Sequence, residues 1–171
     1  MEAPSQLPIY VLDTSSLITL QALKRRNFGL LWGRLDGLAD NRRVLVPEEV
    51  QRELGDEDDE EPVVWLRDHR GIVVSTADVW DRSREIADRY TNMGLVDLAK
   101  PNGSADPCLI ALALEERDRQ RATLWECPVV VVTQERRKRP SKVGIPDACD
   151  DYDLAVINLQ GLFDSEGWSD L

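Results

Sequence analysis

The sequence predicts an α/β domain in which helices cover a central parallel sheet. Short segments made only of apolar residues, such as 8–12 and 129–132, lack polar alternation and therefore indicate strands buried on both faces. Segments with helical spacing of apolar residues separate these strands, which predicts crossover connections between parallel neighbours. At 171 residues the chain is long enough for one continuous core, so we expect a single domain over 1–171.

The other predicted strands are also short apolar runs. In chain order we expect the strands at 8–12, 44–46, 72–74, 129–132 and 155–157. Because ligands of open parallel sheets collect at the carboxyl ends of strands, the residues directly after these runs are candidates for a site. Asp13 and Glu135 occupy such positions.

Helices are predicted between the strands, and end signals locate several of them. Asp13, Thr14 and Ser15 can cap the first helix, while Pro47 suits the first turn of another helix that Gly55 ends. In chain order the helical segments are 16–23, 28–41, 47–54, 63–70, 77–92, 106–119, 146–152 and a terminal turn at 162–163. The acidic run 56–61, the polar turn 100–104 and the basic segment 136–142 are predicted loops.

Four acidic residues stand where a strand ends or beside a helix end. They are Asp13, Glu53, Asp106 and Glu135. Each alone has an ordinary explanation, which is a helix cap for the first and third and a solvated surface for the other two. Their joint placement in a parallel-sheet protein makes them candidates for a site. Glu49 remains an alternative to Glu53, and Asp147 remains an alternative to Glu135.

The sequence around these acids resembles the PIN-domain family. The four matching segments are YVLDTSSLI, VPEEVQREL, SADPCLIALAL and VVVVTQE. The tail KVGIPDACDDYDLAVINL is similar to a PIN-like subgroup, related to bacterial VapC-type toxins, that is largely filed as having unknown function. The first and third segments together are fairly specific, whereas the second is weak alone. The resemblance covers nearly the whole chain and implies a PIN-like three-layer α/β/α fold.

The resemblance implies a metal-dependent endoribonuclease that hydrolyses RNA with Mg²⁺ or Mn²⁺. Asp13, Glu53, Asp106 and Glu135 would be the metal ligands and catalytic residues, while Thr133 and Ser15 would orient ligands, water or substrate. Glu135 departs from the commoner Asp of the fourth segment. Further partners implied are an antitoxin protein and a second copy of the chain, with the protein acting as the toxin of a toxin–antitoxin pair.

The residue inventory itself favours metal chemistry over histidine chemistry. The only histidine, His69, stands in a charged stretch and is expected at the surface, so a pair of catalytic histidines is impossible. A bound divalent ion can activate water and neutralise a phosphate, and carboxylates are the ligands that such hard cations prefer.

The charge balance opposes general nucleic-acid binding, because 21 Lys and Arg stand against 32 Asp and Glu, a net charge of −11. RNA contact therefore needs a local basic surface. We expect it in the loop directly after the fourth segment, chiefly at Arg136, Arg137 and Lys138. Other basic candidates are Arg139, Lys142, Lys24, Arg25 and Arg26.

The remaining features indicate a cytoplasmic protein without a membrane span. No signal-peptide pattern or long apolar run is present, and three widely spaced cysteines suit a reducing compartment.

Two other functions remain open. A catalytically inactive PIN-like binding or scaffold module would fit the acidic pI of about 4.6. A phosphotransfer domain using Asp13 is weaker, because DTSS lacks the second Asp of the haloacid-dehalogenase DxD pattern.

Overall fold

A single parallel sheet forms the centre of the protein. The computed structural model describes residues 6–23, 28–55, 60–96, 104–124 and 126–168. Within these ranges the sheet has five strands in the order β3-β2-β1-β4-β5, and every neighbouring pair is parallel. The strands are β1 (Ile9–Leu12), β2 (Val44–Pro47), β3 (Val73–Val74), β4 (Val129–Val132) and β5 (Ala155–Ile157).

Helices lie between successive strands and cover both faces of the sheet. They are α1 (Thr14–Ala22), α2 (Phe28–Asp40), α3 (Glu48–Leu54), α4 (Glu61–Asp68), α5 (Thr76–Arg89), α6 (Asp106–Arg121), α7 (Ile145–Asp151) and α8 (Leu159–Ser165). A 3-10 turn, Arg70–Ile72, precedes β3. In the part of the chain that the structure describes, no helix is long and apolar enough to cross a membrane.

Two apolar cores, one on each side of the sheet, hold the layers together. Alternate residues of β1 face opposite sides, so that Tyr10 and Leu12 enter the core formed with α1, α2, α3, α4 and α8. Ile9 and Val11 enter the core formed with α5, α6 and α7. The predicted three-layer α/β architecture with a central parallel sheet is confirmed.

The strand order places a crevice above β1 and β4. From β1 the chain crosses to β2 on one side, whereas the later strand β4 pairs with β1 on the other side. Leu12 pairs with Val132, so β1 and β4 end level with each other. Asp13 and Thr133 follow these two ends, at the topological switch point where such folds bind ligands.

Several element boundaries differ from those predicted. The strand expected at 72–74 is shortened because Ile72 belongs to the 3-10 turn, and the terminal turn at 162–163 is part of a full helix. The first helix opens at Thr14 rather than at Ser16, because Asp13 alone acts as its cap. His69 was expected at the surface and is instead half-buried.

Packing against an indole explains the position of His69. Its ring centroid lies 5.2 Å from that of Trp65, and its Nε2 lies 3.5 Å from a carboxylate oxygen of Asp36.

The cysteines are free, with Cys108 and Cys149 buried. The basic candidates Lys24, Arg25 and Arg26 and most of the predicted loops 56–61 and 100–104 lie outside the described residues.

A charged cluster fastens the end of α8 to the start of the sheet. The Arg43 guanidinium donates to both carboxylate oxygens of Glu166, and the Tyr10 hydroxyl donates to the same carboxylate at 2.7 Å. Arg43 Nε also donates to the Pro8 carbonyl at 3.1 Å. The side chains of Arg43 and Glu166 are only 15% and 10% exposed, so the solvent screens this pair weakly.

Replacement of Glu166 by Gln should destabilise the fold in a pH-dependent way. Burial raises the pKa of Glu166, but hydrogen bonds from Arg43 and Tyr10 outweigh burial and lower it overall. The stabilisation is therefore complete above about pH 4.3, the ordinary pKa of Glu, and is lost as the pH falls through the lowered value. We expect Glu166→Gln to reduce the free energy of unfolding by about 2 kcal/mol at pH 7.

Urea unfolding of both proteins between pH 3 and pH 8 measures this difference, which should shrink at the acidic end. Asp164→Asn is the matched control, because Asp164 lies exposed on the same helix. A loss of equal size at every pH would contradict the assignment of the effect to the Glu166 charge.

Candidate functional site

A cleft of about 230 Å³ lies at the carboxyl ends of β1 and β4. The four acids predicted as metal ligands all line it, although they come from four separate segments of the chain. The lining residues are Asp13, Thr14, Ser15, Ile18, Val50, Glu53, Ala105, Asp106, Leu109 and Glu135. The cleft thus combines carboxylates and hydroxyls with an apolar wall.

The Asp13 carboxylate is buried, with 4% of the residue exposed, and hydrogen bonds hold both of its oxygens. Its Oδ1 accepts from the Ser16 backbone N–H at 2.7 Å, which caps α1. Its Oδ2 accepts from the hydroxyls of Ser15 and Thr133, each at 2.6 Å. These bonds fix the carboxylate in one orientation. They also leave Asp13 poorly placed as the nucleophile of a phosphotransfer domain.

The same two hydroxyls connect Asp13 to the segment that carries Glu135. The Ser15 Oγ accepts from the Gln134 backbone N–H at 3.0 Å. The Thr133 Oγ1 accepts from the Glu135 backbone N–H at 3.1 Å. The start of α1 and the end of β4 are therefore tied through side chains as well as through the sheet.

Glu53 bridges the segments that carry the other two acids. Its Oε2 accepts from the Thr14 hydroxyl at 2.5 Å, and its Oε1 accepts from the Ala105 backbone N–H at 3.2 Å. Thr14 directly follows Asp13, and Ala105 directly precedes Asp106. Glu53 on α3 therefore links the segment that carries Asp13 to the segment that carries Asp106. The sequence analysis missed this role of Thr14, although its place in the hydroxyl-rich DTSS segment was a usable signal.

Glu49, the alternative to Glu53, points elsewhere. It is buried, and its Oε1 accepts from the Thr76 hydroxyl and from Arg52. It is absent from the lining of the cleft, whereas Glu53 is present. The two residues share a face of α3, but Glu49 lies one turn earlier, and there its carboxylate contacts Thr76 at the start of α5.

Asp147, the alternative to Glu135, organises the basic loop. Its Oδ2 accepts from the backbone N–H groups of Lys138 at 2.7 Å and Gly144 at 2.9 Å. Burial raises the pKa of Asp147, but these backbone hydrogen bonds outweigh it and lower the pKa overall. Glu135 lines the cleft, and its Oε2 accepts from the Lys138 ammonium at 2.9 Å.

Much of the positive charge in the basic loop is already paired. Arg137 donates two hydrogen bonds to Asp150, each at 2.9 Å, and Arg139 pairs with Asp151. Lys138 pairs with Glu135 beside the cleft. Arg136 is exposed and forms no ion pair with any residue whose position is described. Of the three predicted RNA-contacting residues, Arg136 is therefore the most available to a phosphate.

The donor chemistry of the cleft fits a hard divalent cation. Its described lining offers carboxylate and hydroxyl oxygens without His or Cys, the ligand type that Mg²⁺ and Mn²⁺ favour. In the described part of the chain, no three His, Cys, Asp or Glu side chains are close enough together to hold a metal ion as they stand. Ion binding would therefore require side-chain adjustment, chiefly of Glu53 and Glu135, which hydrogen bonds now hold.

The fold and the cleft define an α/β domain with a carboxylate-lined site at its topological switch point. The chain belongs to the protein family described as a domain of unknown function, DUF4411, whose pattern matches residues 10–169.

Among solved structures, this chain is similar to a chain in the crystal structure of VapBC2 from Rickettsia felis bound to a DNA fragment from their promoter. The sequences are 15% identical, the TM-score is 0.47, and the alignment covers 88% of this chain and 98% of that chain. None of the curated proteins compared with the chain matches it.

Metal binding to these acids should raise the thermal stability of the protein. A ligand that binds only the folded state stabilises it by mass action, so Mn²⁺ at tenfold excess over its Kd should raise Tm by about 3–6 °C. Differential scanning fluorimetry with Mn²⁺, Mg²⁺ and EDTA measures the shift. Asp13→Asn should melt at a lower temperature than the wild type, because one oxygen that accepts from the Ser15 and Thr133 hydroxyls becomes an amide nitrogen, and relative to its own melting temperature in EDTA it should lose most of the shift. An equal shift in both proteins would show that the ion binds elsewhere.

Proposed function

We propose that the protein is a metal-dependent endoribonuclease that hydrolyses phosphodiester bonds in single-stranded RNA with Mg²⁺ or Mn²⁺. The observation that carries the proposal is that four carboxylates, from four distant segments, line one cleft at the switch point of the sheet. The resemblance of these segments to the PIN-domain family supports RNA as the substrate. Asp13, Glu53, Asp106 and Glu135 would hold the ion, and its chemistry when bound is to activate water and neutralise phosphate charge.

The chain's own residues would fix the geometry around that ion. Thr133 and Ser15 orient the Asp13 carboxylate, and Thr14 orients Glu53. Rigid orientation of carboxylates before the substrate arrives lowers the reorganisation that the reaction requires.

An apolar wall of the cleft favours a substrate with accessible bases. Ile18 on α1 is 52% exposed although it lines the acidic cleft, and Leu109 lies buried nearby in the same lining. A nucleoside beside the scissile phosphate can cover this exposed side chain, with a gain from apolar burial. Bases are free for such contact in single strands and are stacked inside a duplex.

We also propose a role as the toxin of a toxin–antitoxin pair, acting in the cytoplasm, with an antitoxin protein and a second copy of the chain as partners. The support is the sequence resemblance to VapC-type toxins.

Expression of the wild-type protein from an inducible promoter should arrest bacterial growth, whereas expression of the Asp106→Asn variant should not. Equal growth with both proteins would contradict the toxin role.

A catalytically inactive binding or scaffold module is the second candidate. It is favoured by the hydrogen bonds that already occupy the carboxylates and by the lack, within the described ranges, of three acids close enough to share an ion. Cleavage of RNA separates the two functions directly.

Wild-type protein should cut a fluorescently labelled single-stranded RNA in Mn²⁺ and not in EDTA. We expect Asp106→Asn to reduce the cleavage rate by roughly 10²–10³-fold, because the ligand set loses one charge at the reacting centre. Asp118→Asn is the matched control, since Asp118 lies exposed on the same helix and pairs with Arg82. Cleavage that survives in Asp106→Asn, or that is lost equally in Asp118→Asn, would contradict the assignment.

RNA affinity should fall as salt rises, and Arg136 should contribute to that dependence. Loss of one phosphate contact on a single strand lowers the slope of log K against log salt by about 0.7. We expect Arg136→Gln to show this change and Arg137→Gln to show a smaller one, because Asp150 already pairs with Arg137. Fluorescence anisotropy in EDTA at several KCl concentrations measures both. A larger effect at Arg137 would show that its ion pair opens to meet RNA.

A further inference from the structure

The Glu135 carboxylate shares one of its oxygens with a cation of the protein itself. Its Oε2 accepts from the Lys138 ammonium at 2.9 Å and from the Ile145 backbone N–H, at the start of α7, at 3.3 Å. Its Oε1 accepts no hydrogen bond from a described residue, and Glu135 lines the acidic cleft. A divalent ion therefore has one oxygen of Glu135 available, on a carboxylate that an ammonium already contacts.

The backbone of the basic loop fixes the place of this pair. Asp147 is only 2% exposed, and its Oδ2 accepts from the backbone N–H groups of Lys138 and Gly144. Gly144 also leaves the space that the pair occupies. A Cβ atom at this position would lie 3.1 Å from Lys138 Cδ and 3.2 Å from Glu135 Oε2, so one of the two side chains would have to shift. The pair thus depends on the packing of the loop as well as on charge.

Lys138 differs from its neighbours in the loop because its partner belongs to the proposed metal site. Arg137 and Arg139 pair with acids of α7 that do not line the cleft. Lys138 does not line the cleft either, so its charge acts on the site through Glu135. An ammonium beside a carboxylate weakens the attraction of that carboxylate for a second cation. Lys138 and a divalent ion therefore compete for the charge of one residue.

Partial exposure makes the pair weak enough for another anion to open it. The side chains of Lys138 and Glu135 are 40% and 25% exposed. Ion pairs that solvent reaches to this extent contribute little free energy. A phosphate at the mouth of the cleft offers the ammonium a second anion. The flexible stem of a lysine lets its ammonium turn to that phosphate while the loop backbone stays in place.

We propose that Lys138 links the binding of the divalent ion to the binding of RNA. Paired with Glu135, it lowers the affinity of the acidic cleft for the ion. A phosphate of the RNA strand that attracts the ammonium relieves this effect, so the ion and RNA strengthen each other's binding. This inference rests on the proposed ribonuclease function, and it assigns to Lys138 an effect on the metal site in addition to a contact with RNA.

The first test measures the affinity of the full chain for Mn²⁺ alone by isothermal titration calorimetry. Lys138→Gln should bind Mn²⁺ roughly three- to tenfold more tightly than the wild type, because a positive charge near the site is removed and solvent screens only part of it. Lys138→Arg should stay within about twofold of the wild type, because Arg keeps the charge and also pairs with carboxylates.

Lys142→Gln is the matched control for ion affinity, because it removes the same charge from the same loop. Lys142 is exposed, forms no ion pair with a described residue, and lies with its side chain close to Gly94. Its Mn²⁺ affinity should equal that of the wild type. An equal gain in Lys142→Gln and Lys138→Gln would show a general effect of net charge and would overturn the role of the pair.

A double-mutant cycle tests whether Lys138 acts through Glu135. In a Glu135→Gln background, Lys138→Gln should change the Mn²⁺ affinity by less than about twofold, because neither protein contains the ion pair. A gain in that background as large as the gain in the wild-type background would overturn the proposed route.

The second test measures the coupling between the two ligands. Stopped-flow fluorescence anisotropy, read before cleavage begins, gives the affinity for a labelled single-stranded RNA in EDTA and in Mn²⁺. Mn²⁺ should tighten RNA binding to the wild type, and the tightening should be roughly threefold smaller in Lys138→Gln, where no ammonium opposes the ion. Equal tightening in the two proteins would overturn the link.

The outcomes separate this inference from the function on which it rests. Mn²⁺-dependent cleavage by the wild type, together with unchanged Mn²⁺ affinity in Lys138→Gln, would overturn the link and leave the nuclease standing. Weaker Mn²⁺ binding in Lys138→Gln would show that Lys138 holds Glu135 in place for the ion, which also overturns the proposal. A wild type that neither binds Mn²⁺ nor cuts RNA would overturn the nuclease itself.

Discussion

The Asp13 carboxylate is the group on which the candidate site depends. It is buried, so each of its lone pairs must be met by a donor, and the donors come from both sides of the switch point. The Ser16 N–H belongs to the first turn of α1, while the Thr133 hydroxyl belongs to the end of β4. The carboxylate therefore holds together the two segments between which the cleft opens. A negative charge beside a helix N-terminus is also favourable in itself, which lowers the cost of burying it.

Hydroxyl groups hold carboxylates of the acidic cleft in fixed orientations. Carboxylates brought together repel one another, and the effect grows as water is excluded. The Thr14 hydroxyl donates to Glu53. The Ser15 and Thr133 hydroxyls both donate to Asp13. Each donation spreads the negative charge and satisfies an oxygen. Because a hydroxyl hydrogen can rotate, the same groups could also donate to a ligand that enters the cleft.

Much of the fold and the placement of the acids could be predicted from the sequence. Strands buried on both faces appear as uninterrupted apolar runs, and 129–132 and 155–157 were located without error. Asp13 and Glu135 were identified because residues that follow parallel strands converge at one edge of the sheet. What the sequence did not reveal depends on contacts between distant side chains. The bond from Thr14 to Glu53 and the pairing of Arg137 with Asp150 are examples, because no periodic pattern encodes which partner a long side chain selects.

The short edge strand β3 has a consequence for how the protein behaves in solution at high concentration. Only Val73 and Val74 pair with β2, and the 3-10 turn and α5 flank them on either side. An edge of two residues exposes too few free backbone groups to template a strand from another molecule. The sheet therefore ends on this side in a form that resists intermolecular β-pairing, although its central strands consist almost entirely of valine, leucine and isoleucine.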